Sequence, residues 1–237
     1  MSEMSFKKHK IDRITTGSSS FDILLGGGLP IASVTDVYGA AGTGKTQFAF
    51  QNVVMTCEKI PKTKLKAHAV FVDCTGSFRP ERIAEIAINR SLNAENILET
   101  TYGISVRTVE DQWRASRRVE SDTFFSHCHL LVIDDVTANF VSEFKDEDIA
   151  SRQTSLSMYM RQLAYLACRK GISVLLTNSA RSRGDLGEGE TTGEILSQFS
   201  LHRMHFERKD RQRMATLMQP DLNRPRVKFE IETSGIV

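Results

Sequence analysis

Cysteine is scarce in this chain and scattered: Cys57, Cys74, Cys128 and Cys168 form no CxxC pair among 237 residues. That spacing excludes a disulfide framework, argues against a zinc cluster, and suits a reducing interior. No apolar run reaches the roughly 20 residues that a helical membrane span requires. The N-terminal MSEMSFKKHKIDR is charged and carries no apolar core, so it does not read as a secretory signal. Net charge is nearly absent as well, with 31 Lys and Arg against 29 Asp and Glu, giving +2. A globally basic coat for nucleic acid is thereby excluded, although a local basic strip is not. These absences lead to the expectation of an intracellular protein with no membrane partner, cytoplasmic if prokaryotic and nuclear if eukaryotic.

What is present is an alternation. The chain is 40% hydrophobic, enough to bury one sizeable core. Short apolar runs at 33–38 (SVTDVY), 68–73 (HAVFVD), 101–106, 129–134 (HLLVID) and 171–178 (GISVLLTN) read as buried strands of a parallel sheet. Helical patterns occupy 45–56, 79–90, 108–121 and 151–170 between them. Strand alternating with helix implies βαβ units and a sheet covered on both faces. The tail breaks the alternation: 201–207, 213–218 and 226–232 follow one another with short turns, so antiparallel strands are expected there. The stretch 179–193 (SARSRGDLGEGETTG) reads as a mobile loop. The fold class is α/β: a mostly parallel central sheet flanked by helices, with C-terminal antiparallel strands. A tail at 1–13 is a candidate partner-binding segment, and 14–237 forms the core.

The segment Gly39-Ala40-Ala41-Gly42-Thr43-Gly44-Lys45-Thr46 is a complete GxxxxGK[ST] match between a strand and a helix. Its glycines let the backbone turn so that N–H groups face phosphate oxygens, and the following helix offers the positive end of its dipole. Lys45 is the residue expected to reach the outer phosphates of ATP. Thr46 is expected to ligate Mg²⁺, and Gln47 continues the cradle into the helix. The apolar run ending in Asp134-Asp135 supplies an acid at a strand's C-terminal edge, where Mg²⁺ needs one. Asp134 is the candidate metal carboxylate, acting directly or through water. Asp135 is the alternative cap of the next segment.

Taken in order, these elements carry a resemblance. ITTGSSSFDILLGGGLP (14–30), GAAGTGKTQFAFQ, FVDCTGSFRPERI (71–83), the Asp134 strand, SRQ (151–153), LLTN (175–178) and VKFEIETSGIV resemble the RadA/RecA recombinase family. The chain is similar in size to the short paralogues, such as RadB, that lack the N-terminal helical domain. The resemblance implies a RecA-like ATPase core. It implies that Arg79 lies over the adenine, a use of its planar guanidinium, the alternative being a surface arginine at a helix start. It places 143–149 (EFKDEDI) at the first DNA loop and 179–193 at the second, where Arg181 and Arg183 are the candidate phosphate contacts.

The departures from the family pattern are equally informative. Where the family has Asp-Thr-Glu-Gly, with the glutamate activating water, this chain has Asp73-Cys74-Thr75-Gly76. Threonine cannot act as a base near neutral pH, so weak hydrolysis is expected. Ser179 stands where a γ-phosphate-sensing glutamine follows LxTN. Lys145-Asp146-Glu147-Asp148 would repel DNA rather than attract it. No Phe-x-x-Ala assembly signature precedes the core.

The stretch 203–228 holds eight Lys and Arg against three acids. Arg208, Lys209 and Arg211 sit in its turn as candidate DNA contacts, the alternative being a solvated edge. The expectation is an ATP- and Mg²⁺-binding recombinase paralogue. It would act as an accessory factor in homologous recombination and DNA repair beside a RadA-type recombinase or other paralogues, with DNA, single-stranded, contacted directly or through the partner. The alternatives are an active DNA-dependent strand-exchange ATPase and a KaiC-type signalling ATPase.

Overall fold

The computed structural model describes residues 12–59, 68–144, 148–179, 188–210, 212–220 and 223–237. Its centre is an eight-stranded sheet built from β3 (Ser33–Gly39), β4 (Ala69–Asp73), β5 (Thr101–Ser105), β6 (Leu130–Asp134), β7 (Ser173–Ser179), β8 (His202–Lys209), β9 (Gln212–Gln219) and β10 (Arg226–Phe229). The strand order is β10-β9-β8-β3-β7-β6-β4-β5. The six strands from β8 to β5 run parallel, and β9 and β10 add antiparallel pairings at one edge. The two short strands β1 (Arg13–Ile14) and β2 (Leu29–Pro30) form a separate ribbon, as do β11 (Ile231–Glu232) and β12 (Gly235–Ile236).

Both faces of the sheet are apolar because side chains alternate along each strand. Ala69, Phe71, Leu130, Val132 and Leu175 enter one core, while Val70, Val72, Leu131, Ile133, Val174 and Leu176 enter the other. The first core is closed by α1 (Ser19–Leu24), α2 (Lys45–Lys59), α3 (Pro80–Asn89) and α4 (Ala94–Glu99). The second is closed by α5 (Val109–Ser121), α6 (Ala138–Glu143), α7 (Ile149–Lys170) and α8 (Glu188–Phe199). Among the described residues, no helix is long and apolar enough to cross a membrane.

Two local devices fix the approach to the loop at 39–46. Phe21 packs against Phe48, Phe206 and Phe229, with ring centroids 5.0, 5.7 and 5.3 Å away, which pins α1 to α2 and to the β8–β10 edge. The Asp22 carboxylate accepts from Thr16 N and Thr16 Oγ1, both at 2.7 Å, and from the Thr15 hydroxyl, fixing the turn that precedes α1.

The tail is antiparallel as expected, β8 pairing with β9 and β9 with β10; β8 also joins β3 in parallel, so β9 alone runs against the other strands. The structure corrects some of the expected bounds. The run expected at 226–232 breaks after Phe229, and Ile231–Glu232 turns away to pair with Gly235–Ile236. The loop expected to reach 193 stops earlier, because α8 begins at Glu188 and buries Ile195 and Leu196. At 143–149, α6 finishes at Glu143, whose carboxylate accepts from Val109 N at 2.8 Å, and α7 starts at Ile149, with 145–147 outside the described residues. The short helices α1, α4 and α6 each span six residues, too short to show a periodicity in the sequence.

Candidate functional site

Parallel strands deliver their C-terminal ends to one side of the sheet, where ligands of open α/β folds bind. Register places Asp73 beside Asp134 and Gly39 beside Ser179 there. β3 ends at Gly39, and α2 starts six residues later at Lys45. Gly39 is required at the start of this loop: its φ is 152°, and a Cβ would lie 2.1 Å from the carbonyl oxygen of Phe206. Beyond it the chain turns so that the first N–H groups of α2 lack intrahelical acceptors, as at any helix start. Ala40, Ala41 and Gly42 form an exposed crown, and the buried Thr43 ties it down by donating to Ala40 O at 2.9 Å.

The Lys45 ammonium is folded into this loop. Its Nζ donates to Gly39 O at 2.7 Å and to Ala40 O at 3.0 Å. Burial lowers its pKa, against the pull of Asp135 and Asp134, which favour the charged form. Such a cation, partly desolvated and held by neutral carbonyls, is suited to a denser negative charge.

Asp134 is the centre of a hydroxyl cluster. Thr46 Oγ1 lies 3.2 and 3.0 Å from its two carboxylate oxygens, Ser77 Oγ lies 2.5 Å from Oδ2, and the Thr177 hydroxyl donates to Oδ1. Burial raises the Asp134 pKa. The bonds from Ser77, Thr177 and Thr46 oppose that rise, and Asp135 adds to it. The neighbouring acid serves another purpose. Asp135 Oδ1 accepts from Thr137 N at 2.9 Å and Thr137 Oγ1 at 2.8 Å, while Oδ2 accepts from Ser179 N at 2.6 Å. Asp135 thus caps its own turn and anchors the end of β7. The peptide joining Asp134 to Asp135 is cis.

Asp73 is also committed. Its Oδ1 accepts from Thr75 N, Gly76 N and Ser77 N at 3.2, 2.8 and 2.9 Å, and its Oδ2 accepts from Phe78 N at 3.1 Å. The carboxylate therefore organises the turn from β4 towards α3. Thr75 is exposed on that turn. Arg79 curls back on the same turn and donates to Gly76 O at 2.9 Å and Phe78 O at 2.8 Å.

A cavity of about 780 Å³ opens beside the loop, lined by Gly42, Gly44, Lys45, Thr46, Gln47, Arg82, Arg208, Arg213, Ile231, Glu232 and Thr233. The structure thus brings together Gly42, Gly44, Lys45, Thr46 and Gln47, with Asp134 bonded to Thr46. Arg79 stands outside this lining, and Arg208 stands inside it. Lys209 lies on the same hairpin but alternates to the other face of β8. Arg181, Arg183 and Arg211 lie outside the described residues, as do 1–11 and 145–147.

Sequence reasoning missed Ser77, Thr177, Arg82 and Arg213. Arg213 had a legible signal: counting by two along 213–217 puts it on the face of the apolar Ala215 and Leu217. Ser77 and Thr177 carried none, because they reach Asp134 from 57 and 43 residues away.

The fold and the loop together define a RecA-like domain of the phosphate-binding-loop class. The Rad51 family profile matches residues 7–237, and the chain belongs to that family. It is 30% identical over 241 residues to "DNA repair and recombination protein RadA" of Aeropyrum pernix, covering 99% of this chain and 76% of the relative.

Proposed function

We propose that this chain is an ATP-binding recombinase paralogue that assists homologous recombination and DNA repair and hydrolyses ATP weakly. Family membership and the RadA relative supply the process. The site supports the ligand: a glycine crown, a buried ammonium and the start of a 15-residue helix face one cavity. The donor set also fits Mg²⁺. One buried carboxylate surrounded by hydroxyls is the hard-oxygen arrangement that Mg²⁺ accepts when phosphates complete its shell. Thr46 and Asp134 would hold the ion, which would neutralise charge on the outer phosphates. Arg79 needs only to leave two carbonyls of its own turn to meet a base.

The observation that carries weak hydrolysis is the occupation of Asp73. Four backbone N–H groups hold its carboxylate, and the adjacent Thr75 offers no carboxylate in its place. A missing general base costs about 10²–10⁴-fold in rate. ATP then acts chiefly as a ligand that favours one assembled state. The partners proposed are a RadA-type recombinase or other paralogues, with single-stranded DNA met directly or through them, in an intracellular compartment. The unit 14–237 is the ATPase core, and 1–13 is offered as a partner-binding segment.

The test is affinity capture of recombination proteins by wild type and Lys45→Ala, with and without ATP and magnesium. Nucleotide-dependent capture that the variant loses is the expected result. Strong DNA-stimulated hydrolysis by the wild type would replace this reading with that of an active strand-exchange ATPase.

A further inference from the structure

We propose that Arg208 and Arg213 form a cationic wall of the phosphate cavity and read the outermost phosphate of a nucleoside triphosphate from within the same chain. This inference rests on the nucleotide reading above, and it moves Arg208 from nucleic acid to nucleotide.

The placement follows from strand periodicity. Along β8, Met204 and Phe206 enter the first core and Arg208 continues their row; along β9, Leu217 and Ala215 do the same and Arg213 continues theirs. The ladder pairs Phe206 with Ala215 and Arg208 with Arg213, and on its far side Arg213 pairs with Phe229. The apolar row therefore ends in two adjacent guanidinium groups where core gives way to cavity. Like charges directly opposite on a ladder repel, which is unfavourable unless an anion lies between them.

Among the described residues neither arginine forms an ion pair. Arg208 Nε donates only to Asp210 O, at 3.0 Å, and Arg213 Nε is buried with no hydrogen-bond partner. A guanidinium donor taken out of water without an acceptor is costly, and a ligand oxygen would relieve it.

The other cations of the cavity are already engaged. Arg82 donates to Gln47 Oε1 at 2.7 Å, Glu85 Oε2 at 2.5 Å, Thr233 O at 3.0 Å and Glu232 O at 2.5 Å. Lys45 holds the loop carbonyls. Among the described residues, Glu232 is the only acid in the lining.

Arg208 also overhangs the crown. A Cβ built on Gly42 would lie 3.9 Å from its guanidinium nitrogen. Planar forks of this kind match phosphate oxygens in pairs. The loop amides and Lys45 suffice for a diphosphate, and the charge that a third phosphate adds is what two further arginines can use.

The experiment is calorimetric titration of the full chain with ATP and with ADP, in magnesium, for wild type, Arg208→Ala, Arg213→Ala and Arg213→Lys. Each alanine variant is expected to weaken ATP about tenfold or more and ADP less than about threefold, the scale of a charge-assisted hydrogen bond. Arg213→Lys, which keeps charge but loses the fork, falls between. Arg208 is exposed, so its replacement leaves the core intact, and unfolding midpoints check the Arg213 variants. Equal loss for ATP and ADP, or no loss, overturns the inference while the nucleotide reading stands. Intact ATP binding with weakened binding of a single-stranded oligonucleotide by Arg208→Ala likewise overturns it. A wild type that takes up neither nucleotide removes both readings, and Lys45→Ala, expected to weaken ATP and ADP alike, marks that distinction.

Discussion

Replacing Asp134 by asparagine changes the charge at the centre of the site while keeping its shape. In the wild type the buried carboxylate is met by three hydroxyls and, among the described residues, by no cationic side chain within bonding distance. Its pKa is raised by burial, so the folded chain binds that proton more tightly than the unfolded chain. Above the raised value the ionised group is a standing cost, and the cost lessens as pH falls towards it. Asparagine removes the cost; Thr46 and Thr177 still find an acceptor, and Ser77 can turn to accept. The nucleotide-free variant should therefore be more stable at neutral pH by about 1 kcal/mol, which for a chain of this length raises the unfolding midpoint about 2–4 °C.

With ATP and magnesium the order should reverse. At a ligand concentration of about 100 Kd, wild type gains about 2.7 kcal/mol, or roughly 5–11 °C. Loss of one charged ligand to the metal weakens binding about 10- to 100-fold, and at the larger loss the same ligand concentration stabilises the variant by about 0.4 kcal/mol, close to 1 °C. The assay is thermal unfolding of both proteins at pH 7, with ATP, magnesium, both, or both plus a chelator. A variant stabilised by ATP and magnesium as fully as the wild type would refute the assignment of Asp134 to the metal.

Three further outcomes are expected. Thr75→Glu, a change on an exposed turn, should raise ATP turnover at least about tenfold if the absent carboxylate limits the rate; phosphate release that stays flat while ATP still binds would count against that account. Gln51→Leu should cost about 2–6 kcal/mol in urea unfolding, because the buried amide donates to Thr16 O at 2.8 Å and accepts from Ile236 N at 2.5 Å, and each orphaned partner costs about 1–3 kcal/mol. His202 is buried, and its pKa is lowered to about 4, chiefly by burial and then by Arg13. Its neutral form is favoured in the fold, so stability is full above about pH 6.5 and declines as pH falls from there towards 4. The difference in stability between wild type and His202→Gln should narrow or invert over that window, measured by chemical unfolding at pH 7, 5.5 and 4.5.

Strands β3, β4, β6 and β7 were legible in the sequence because each sends apolar residues to both cores, as a sheet covered on both faces requires. The loop at 39–46 was legible as a turn from strand to helix because its three glycines and Lys45 fall within seven residues of sequence. Helix α8 was hidden by composition: its Gly and Thr residues read as loop, and the burial of Ile195 and Leu196 depends on a second core assembled from distant strands. The hydroxyls around Asp134 were hidden by separation in the chain. Arg208 was legible as a charge but not as a direction, since nothing local says which face of a hairpin meets a cavity. That choice is made by the pairing of Phe206 with Ala215 one step earlier in the ladder.

The cavity draws its two sides from opposite ends of the chain. Gly42 to Gln47 form one side and Arg208 to Thr233 the other, and Gln51 clasps Ile236 across 185 positions of sequence. A nucleotide held there would tie the β8–β10 edge to the loop at 42–47 and slow hydrogen exchange at that edge. Any event that peels β9 and β10 from the sheet edge would release a nucleotide held there before the core had melted.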